Sequence, residues 1–222
     1  MRVAIAGAGA VGRSVARELI GNGHRVLLID KEPAALRPER VPDAEWLLAD
    51  SCELSSLEEA KLESCDVVIA ATGDDKVNLV TSLLAKTEFA VPRTVARVNH
   101  PNNEWLFTEA WGVDVNVSTP RIMSALVEEA VTVGDIVRLF TFRQGNANLV
   151  ELTLPDDSPY VGKPVGLIPW PENCALVTIL RDGQVYTPGA EQPIEAGDEL
   201  LFVSAADTEA DLQEVLSPDA VS

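Results

Sequence analysis

The sequence predicts an α/β fold: a Rossmann-like, doubly wound parallel sheet followed by a second, smaller α+β domain. Three observations carry that expectation. Val3-Ala4-Ile5-Ala6 runs straight into Gly7-Ala8-Gly9-Ala10-Val11-Gly12, a Gly-x-Gly-x-x-Gly that opens a helical pattern. A second apolar run, Val26-Leu27-Leu28-Ile29, ends in Asp30, eighteen residues after Gly12. Strand, glycine turn, helix, strand and carboxylate is the order a dinucleotide-binding βαβ unit requires. Third, apolar runs without polar alternation keep trading places with helical periodicity over the first 130 residues, as in a parallel sheet covered on both faces.

Each element follows from a local signal. Arg2–Ala6 reads as a strand, Ala10–Ile20 as a helix stopped by Asn22-Gly23, and Arg25–Asp30 as the second strand. A helical turn near Pro33–Arg37 leads to a third strand at Glu45–Ala49. Leu54–Leu62 is a short helix with Ser51 as its expected cap. Val67–Ala71 is the fourth strand. The helix Asp74–Lys86 places apolar residues at 77, 79, 80, 83 and 84. Thr94–Val98 and Val113–Val117 complete the sheet, with a helix expected at Asn102–Ala110 between them, and Pro120–Val131 forms the helix leading out.

After residue 135 the rhythm changes. Leu149–Leu154 alternates with period two, and Val161–Leu167 is expected to be helical. Ala175–Leu180 and Gln184–Tyr186 flank Arg181-Asp182-Gly183, a hairpin signal. A strand at Glu199–Ser204 and a helix at Thr208–Val215 close the chain. The expected domains are therefore 1–135, including the connecting helix, and 136–222.

The glycine loop and its acid have assignable chemistry. Gly7 permits the sharp exit from the first strand, Gly9 lets a pyrophosphate approach the backbone, and Gly12 lets the helix pack close. Unpaired N–H groups at the helix start favour phosphate. Asp30 is positioned to accept hydrogen bonds from ribose hydroxyls, which favours NAD(H) over its 2′-phosphorylated form.

Bulk properties narrow the function class. The 222 residues carry a net charge of −18 and no basic stripe, which argues against nucleic acid. Strand one begins at residue 2, so no leader is expected, and no apolar stretch approaches the roughly 20 residues of a membrane helix. Three scattered cysteines and two histidines argue against a disulfide framework or a metal site. Trp46, Trp105, Trp111 and Trp170 are expected to be packing anchors.

Four segments together resemble the cytoplasmic subunits of Trk-type potassium uptake systems, the family built from RCK (regulator of potassium conductance) modules. They are the glycine loop with Asp30; Val68-Ile69-Ala70-Ala71-Thr72-Gly73-Asp74-Asp75-Lys76-Val77-Asn78-Leu79; Val95-Ala96-Arg97-Val98; and, in the last 80 residues, Pro155, Gly162-Lys163, Ile179-Leu180-Arg181-Asp182-Gly183 and Ala196-Gly197-Asp198-Glu199-Leu200. The resemblance implies that the backbone from Gly7 to Val11 (Gly7, Ala8, Gly9, Ala10, Val11) holds a diphosphate and Asp30 the ribose. It implies that Thr72 and Gly73 line the crevice and that Asp50 and Ser51 meet the adenine. Arg97 would contact the nucleotide or hold an acid near it.

One departure matters: several relatives carry arginine at the position of Ala10, where it meets a terminal phosphate. Ala10 disfavours ATP more than NAD(H) or ADP, although Arg13, one turn on, is a candidate substitute. The resemblance further implies a non-enzymatic, cytoplasmic regulatory subunit, held at the inner face of the plasma membrane by a membrane-embedded Trk/Ktr-type potassium transporter subunit. It would pair through 120–131, whose apolar residues Ile122, Met123, Leu126, Val127, Ala130 and Val131 form a stripe. Homo-oligomeric rings, or rings shared with a related chain, would gate that partner when NAD(H), ADP or ATP binds. The alternative is a soluble NAD-dependent oxidoreductase with His100 or Lys76 as proton carrier.

Overall fold

The computed structural model describes residues 1–131, 133–142 and 146–216, which pack into two units, Met1–Pro120 and Arg121–Ser222. In the first unit, six strands pair in parallel: β1 (Arg2–Ala6), β2 (Arg25–Asp30), β3 (Glu45–Leu48), β4 (Val67–Ala70), β5 (Arg93–Val98) and β6 (Val115–Ser118). Their spatial order is β3-β2-β1-β4-β5-β6, the doubly wound arrangement whose reversal point lies between β1 and β4. The helices are α1 (Ala10–Gly21), α2 (Leu54–Glu59) and α3 (Asp75–Thr87); α4 (Thr119–Val131) follows β6.

The apolar runs are continuous because both faces of this sheet are buried. Val3, Ile5, Val26 and Leu28 pack with Ala16 of α1. The alternate residues Ala4, Leu27, Ile29 and Val68 pack on the other face with Leu57 of α2 and Ala85 of α3. A third cluster joins Ala70, Ala96 and Val98 to Leu79, Phe107 and Val113. Burial of each Val, Leu, Ile or Phe side chain among these contributes about 1.5–3 kcal/mol, and period two along every strand serves both faces at once.

In the second unit, β7 (Val137–Thr141), β8 (Ala147–Thr153), β9 (Cys174–Arg181), β10 (Gln184–Tyr186) and β11 (Glu199–Ala205) form an antiparallel sheet of order β10-β9-β11-β8-β7. One face packs Val150, Leu152, Ile179, Leu200 and Phe202 against Leu212 and Leu216 of α5 (Glu209–Leu216). Arg181 and Asp198, from the two quoted C-terminal segments, form a bidentate pair at 2.6 and 2.7 Å, with Asp198 fully buried. That fork ties β9 to the turn before β11.

Several expectations are corrected. Asn102–Ala110 is not an α-helix but two 3₁₀ turns, Pro101–Leu106 and Glu109–Trp111. The start of that segment is drawn toward α3 by the Asp75 carboxylate, while Phe107 must reach the core, and a straight helix does not satisfy both. Ser51 does not cap α2, whose first flanking residue is Glu53; the Ser51 hydroxyl is buried against Thr81 Oγ1 at 2.9 Å. Within Val161–Leu167 only Val165–Leu167 is helical, because Gly162 takes φ +80° and Pro164 is extended. Strand β7 was not anticipated: a register shift between Arg138 and Phe140 breaks its period-two signal. Trp46 and Trp170 are anchored by hydrogen bonds to the carbonyls of Val41 and Val165, whereas Trp105 (74%) and Trp111 (38%) are solvent-exposed rather than packing anchors. The division between the two units falls after Pro120, within α4.

Candidate functional site

The carboxyl ends of β1, β2, β4 and β5 open onto a crevice of about 540 Å³, within the range of cofactor sites. On one side lies the glycine loop. Gly7 sits at φ +103°, a region L side chains rarely adopt, and a Cβ there would come 2.8 Å from the Thr72 nitrogen. A Cβ on Gly12 would overlap the Gly7 carbonyl oxygen, so only glycine lets α1 begin this close to β1. Gly9 differs from both: a Cβ there would meet nothing within 4 Å, because the space above it is the crevice itself. Gly9 is also the residue flanking the start of α1, so the helix's first free N–H groups and its positive dipole end lie at the crevice.

Asp30 ends β2 facing that loop. Its Oδ2 accepts from Ala8 N–H at 2.7 Å and its Oδ1 from Glu32 N–H at 3.0 Å. Each carboxylate oxygen retains a lone pair, so the group can brace the loop and still accept from a diol. Asp50 Oδ2 lies 3.6 Å from Lys31 Nζ at the rim, and its Oδ1 accepts from Cys52 N–H.

Across the crevice, Thr72 and Gly73 follow β4 and Arg97 projects from β5. Asn78, on the first turn of α3, is fully buried and joins them. Its Oδ1 accepts from Thr72 N–H at 2.9 Å and from Thr72 Oγ1 at 2.7 Å; its Nδ2 donates to Arg97 O at 2.8 Å and to Thr72 O at 3.3 Å. The Arg97 Nε is buried with no hydrogen-bond partner, and among the described residues no carboxylate pairs with its guanidinium.

Beneath this wall, Asp75 gathers the loop after β5. It accepts from Asn99 N–H (2.7 Å), Asn99 Nδ2 (3.0 Å), His100 N–H (3.0 Å) and Asn103 Nδ2 (2.8 Å). Burial opposes its ionisation, but the hydrogen bonds from Asn103, Asn99 and His100 outweigh that and hold the carboxyl below the usual range.

The crevice brings together Gly7, Gly9, Ala10, Val11, Asp30, Asp50, Ser51, Thr72, Gly73 and Arg97. Ala8 and Gly12 do not line it: both are buried beneath the loop. Sequence reasoning missed Lys31, Glu32, Asp74 and Val77, which do line it. Their signal was position alone, just past the carboxyl ends of β2 and β4. Arg13 points its guanidinium at the Ala8 carbonyl and is not in the lining, so it does not stand in for an arginine at Ala10. His100 and Lys76 also lie outside the lining; His100 Nδ1 accepts from Asn102 N–H at 3.3 Å and caps the following turn.

Comparison with known proteins places these features in context. The family model described as TrkA-N domain matches residues 3–119, and that described as TrkA-C domain matches residues 149–217. The Trk system potassium uptake protein TrkA of Mycobacterium tuberculosis is 62% identical over 218 residues, covering 98% of this chain and 99% of the relative. The TrkA homolog of Methanothermobacter thermautotrophicus is 30% identical over 208 residues, covering 93% and 95%. Among solved structures, a GsuK channel bound to NAD shares the fold, with a TM-score of 0.70 and 17% identity over 97% of this chain and 39% of that one.

Proposed function

The chain belongs to the TrkA family of Trk-system potassium uptake proteins, and from that premise we propose that it is the nucleotide-binding regulatory subunit of a potassium transporter. The observation that carries the binding half is the open space above Gly9, beside the Asp30 carboxylate, in a crevice also lined by Thr72 and Arg97.

NAD(H) is the ligand these groups suit best. The loop backbone and the start of α1 would hold the diphosphate, and Asp30 the adenosine ribose. Glu32 adds a second acid at that end, which disfavours a 2′-phosphate. ADP needs the same contacts. ATP is served less well, since Ala10 is short and Arg13 is engaged with the Ala8 carbonyl. The oxidoreductase alternative lacks its proton carrier at the crevice, because His100 and Lys76 line none of it.

Regulation requires a ligand that binds two arrangements of the assembly unequally, with couplings typically of about 1–3 kcal/mol. Helix α4 is the proposed contact between copies: Ile122, Met123, Leu126 and Val127 are all exposed in the single chain. Ala130 and Val131, the remainder of the expected stripe, lie outside the residues whose side chains are described. Rings built from such pairs, of this chain alone or with a related one, would pass the change to a membrane-embedded Trk/Ktr-type partner from the cytoplasmic side. Among the described residues no helix is long and apolar enough to cross a membrane, so the ion path is assigned to that partner.

Calorimetric titration with NADH, NAD⁺, ADP and ATP tests the reading, with Asp30→Ala as control and thermal unfolding to check its fold. Saturable binding of NAD(H) that the control loses, without turnover, is the expected result. Binding by none of the four, or steady NADH oxidation with a carbonyl substrate, would sink it.

A further inference from the structure

We propose that Asn78, which touches no ligand-facing space itself, is the positioning residue of the crevice: its buried carboxamide fixes Thr72 at the end of β4 to the main chain of Arg97 on β5. The inference rests on the dinucleotide-binding reading above and deepens it.

The amide orientation is not free. Thr72 N–H can only donate, so the atom 2.9 Å from it is the Asn78 oxygen. Arg97 O can only accept, so the atom 2.8 Å from it is the Asn78 nitrogen. Two backbone groups from adjacent strands therefore demand an acceptor and a donor on one short, planar side chain. Asparagine supplies both at this reach. Aspartate lacks the donor when ionised, and leucine lacks both.

The two residues held are the ones that face the ligand space. Thr72 is gripped three times, through N–H, Oγ1 and O, while its hydroxyl also lies 3.1 Å from Asp74 O. Thr72 O takes a further bond from Asn99 Nδ2, itself anchored on Asp75. Arg97 is held by its carbonyl, which leaves its side chain, whose buried Nε has no partner, unengaged by the amide, and the residue lines the crevice. The amide thus sets the spacing between a hydroxyl and a cation without using either side chain's ligand-binding capacity, apart from one hydroxyl proton. Loss of the Arg97 bond would let the β4 and β5 ends separate and would weaken dinucleotide binding while the fold persists.

The test is Asn78→Asp, an isosteric change, titrated with NAD⁺ between pH 5.5 and 8. The ionised carboxylate cannot donate to Arg97 O, and lowering the pH favours the neutral form, which carries a donor. Only that neutral form can donate to Arg97 O and accept from Thr72. Asp74 before α3, Asp75 and Lys76 in its first turn, Arg97 on β5 and His100 after β5 belong to the same hydrogen-bonded network in both proteins, so the wild-type profile subtracts their contribution. The expected result is a loss of affinity of about tenfold at pH 8, shrinking toward wild type by pH 5.5. The measurement begins at the acid end of the range, with unfolding temperature followed in parallel. An affinity equal to wild type at every pH in the folded variant, with only the unfolding temperature lowered, would overturn the positioning role alone. A wild-type chain that binds no dinucleotide would overturn the underlying reading and this proposal together.

Discussion

The glycine-loop wall of the crevice and the wall between β4 and β5 hold their shapes by different means. On the first, shape comes from missing atoms: Gly7 and Gly12 are where a methyl group would strike the Thr72 nitrogen or the Gly7 carbonyl. On the second, shape comes from buried polar atoms: the Asn78 amide and the Asp75 carboxylate bind main-chain groups at and beyond the ends of β4 and β5. A wall made by absence tolerates no additions, and one made by hydrogen bonds tolerates no subtractions. Ligand-binding geometry in this fold needs both, since the two walls face each other across the same space.

That contrast orders the expected effects. Gly12→Ala is the most severe, because the clash is with backbone and not with a side chain that can turn away. We expect destabilisation of about 3 kcal/mol and loss of dinucleotide binding, read by denaturant unfolding and calorimetry. A variant of normal stability would show that the loop can shift and that the first wall is softer than its geometry implies.

Asp75→Asn comes next. It turns one acceptor oxygen into a donor facing His100 N–H and Asn103 Nδ2, at an expected cost of about 2 kcal/mol near neutral pH. Because the folded carboxyl is held below its usual range, its contribution is complete above the unfolded value of about 3.9 and disappears as pH falls through the folded one. The stability gap between wild type and variant should therefore narrow on acidification below about pH 4. A gap that stayed constant would mean the carboxylate is not what holds the loop after β5.

Lys86→Met is smaller and serves as a control away from the crevice. Burial opposes ionisation of Asp114, and the bonds from Lys86 (2.7 Å) and Thr94 outweigh it, holding the carboxyl low. Removing the lysine should cost about 1 kcal/mol of stability and leave affinity unchanged. Altered affinity would extend the second wall further than the hydrogen bonds suggest.

Gly9→Ala should perturb the fold least, within about 0.5 kcal/mol, because its φ of −68° suits alanine and nothing stands where the methyl would go. Affinity for NAD(H) should nevertheless fall by about tenfold or more, since that methyl occupies the diphosphate's approach. Unimpaired binding would move the diphosphate elsewhere and sharpen the comparison against the first wall.

The first wall was the legible one. Gly7, Gly9, Gly12 and Asp30 state their roles by identity and order, and the apolar runs around them fix the parallel sheet. The second wall was not. Asn78 lies six residues from Thr72 and nineteen from Arg97, and on the helical pattern of Asp75–Thr87 it is one polar position among several. Only the pairing of β4 with β5 reveals that this amide is inside. The same limit explains the expected helix at Asn102–Ala110: its residues allow one, but the Asp75 carboxylate, more than twenty positions earlier, draws the chain another way. Arg13 was misjudged for a local reason, since the Ala8 carbonyl that captures it is set free by the glycine turn.

The empty space above Gly9 has a consequence for counting. A Gly9→Ala protomer that folds as predicted would retain its α4 surface and enter the proposed assemblies as a silent member. Doping such protomers into wild-type chains at known fractions would show how transport output declines with the number of vacant sites. A linear decline would mean that each site contributes separately; a steep one would mean that the proposed assembly responds as a single unit.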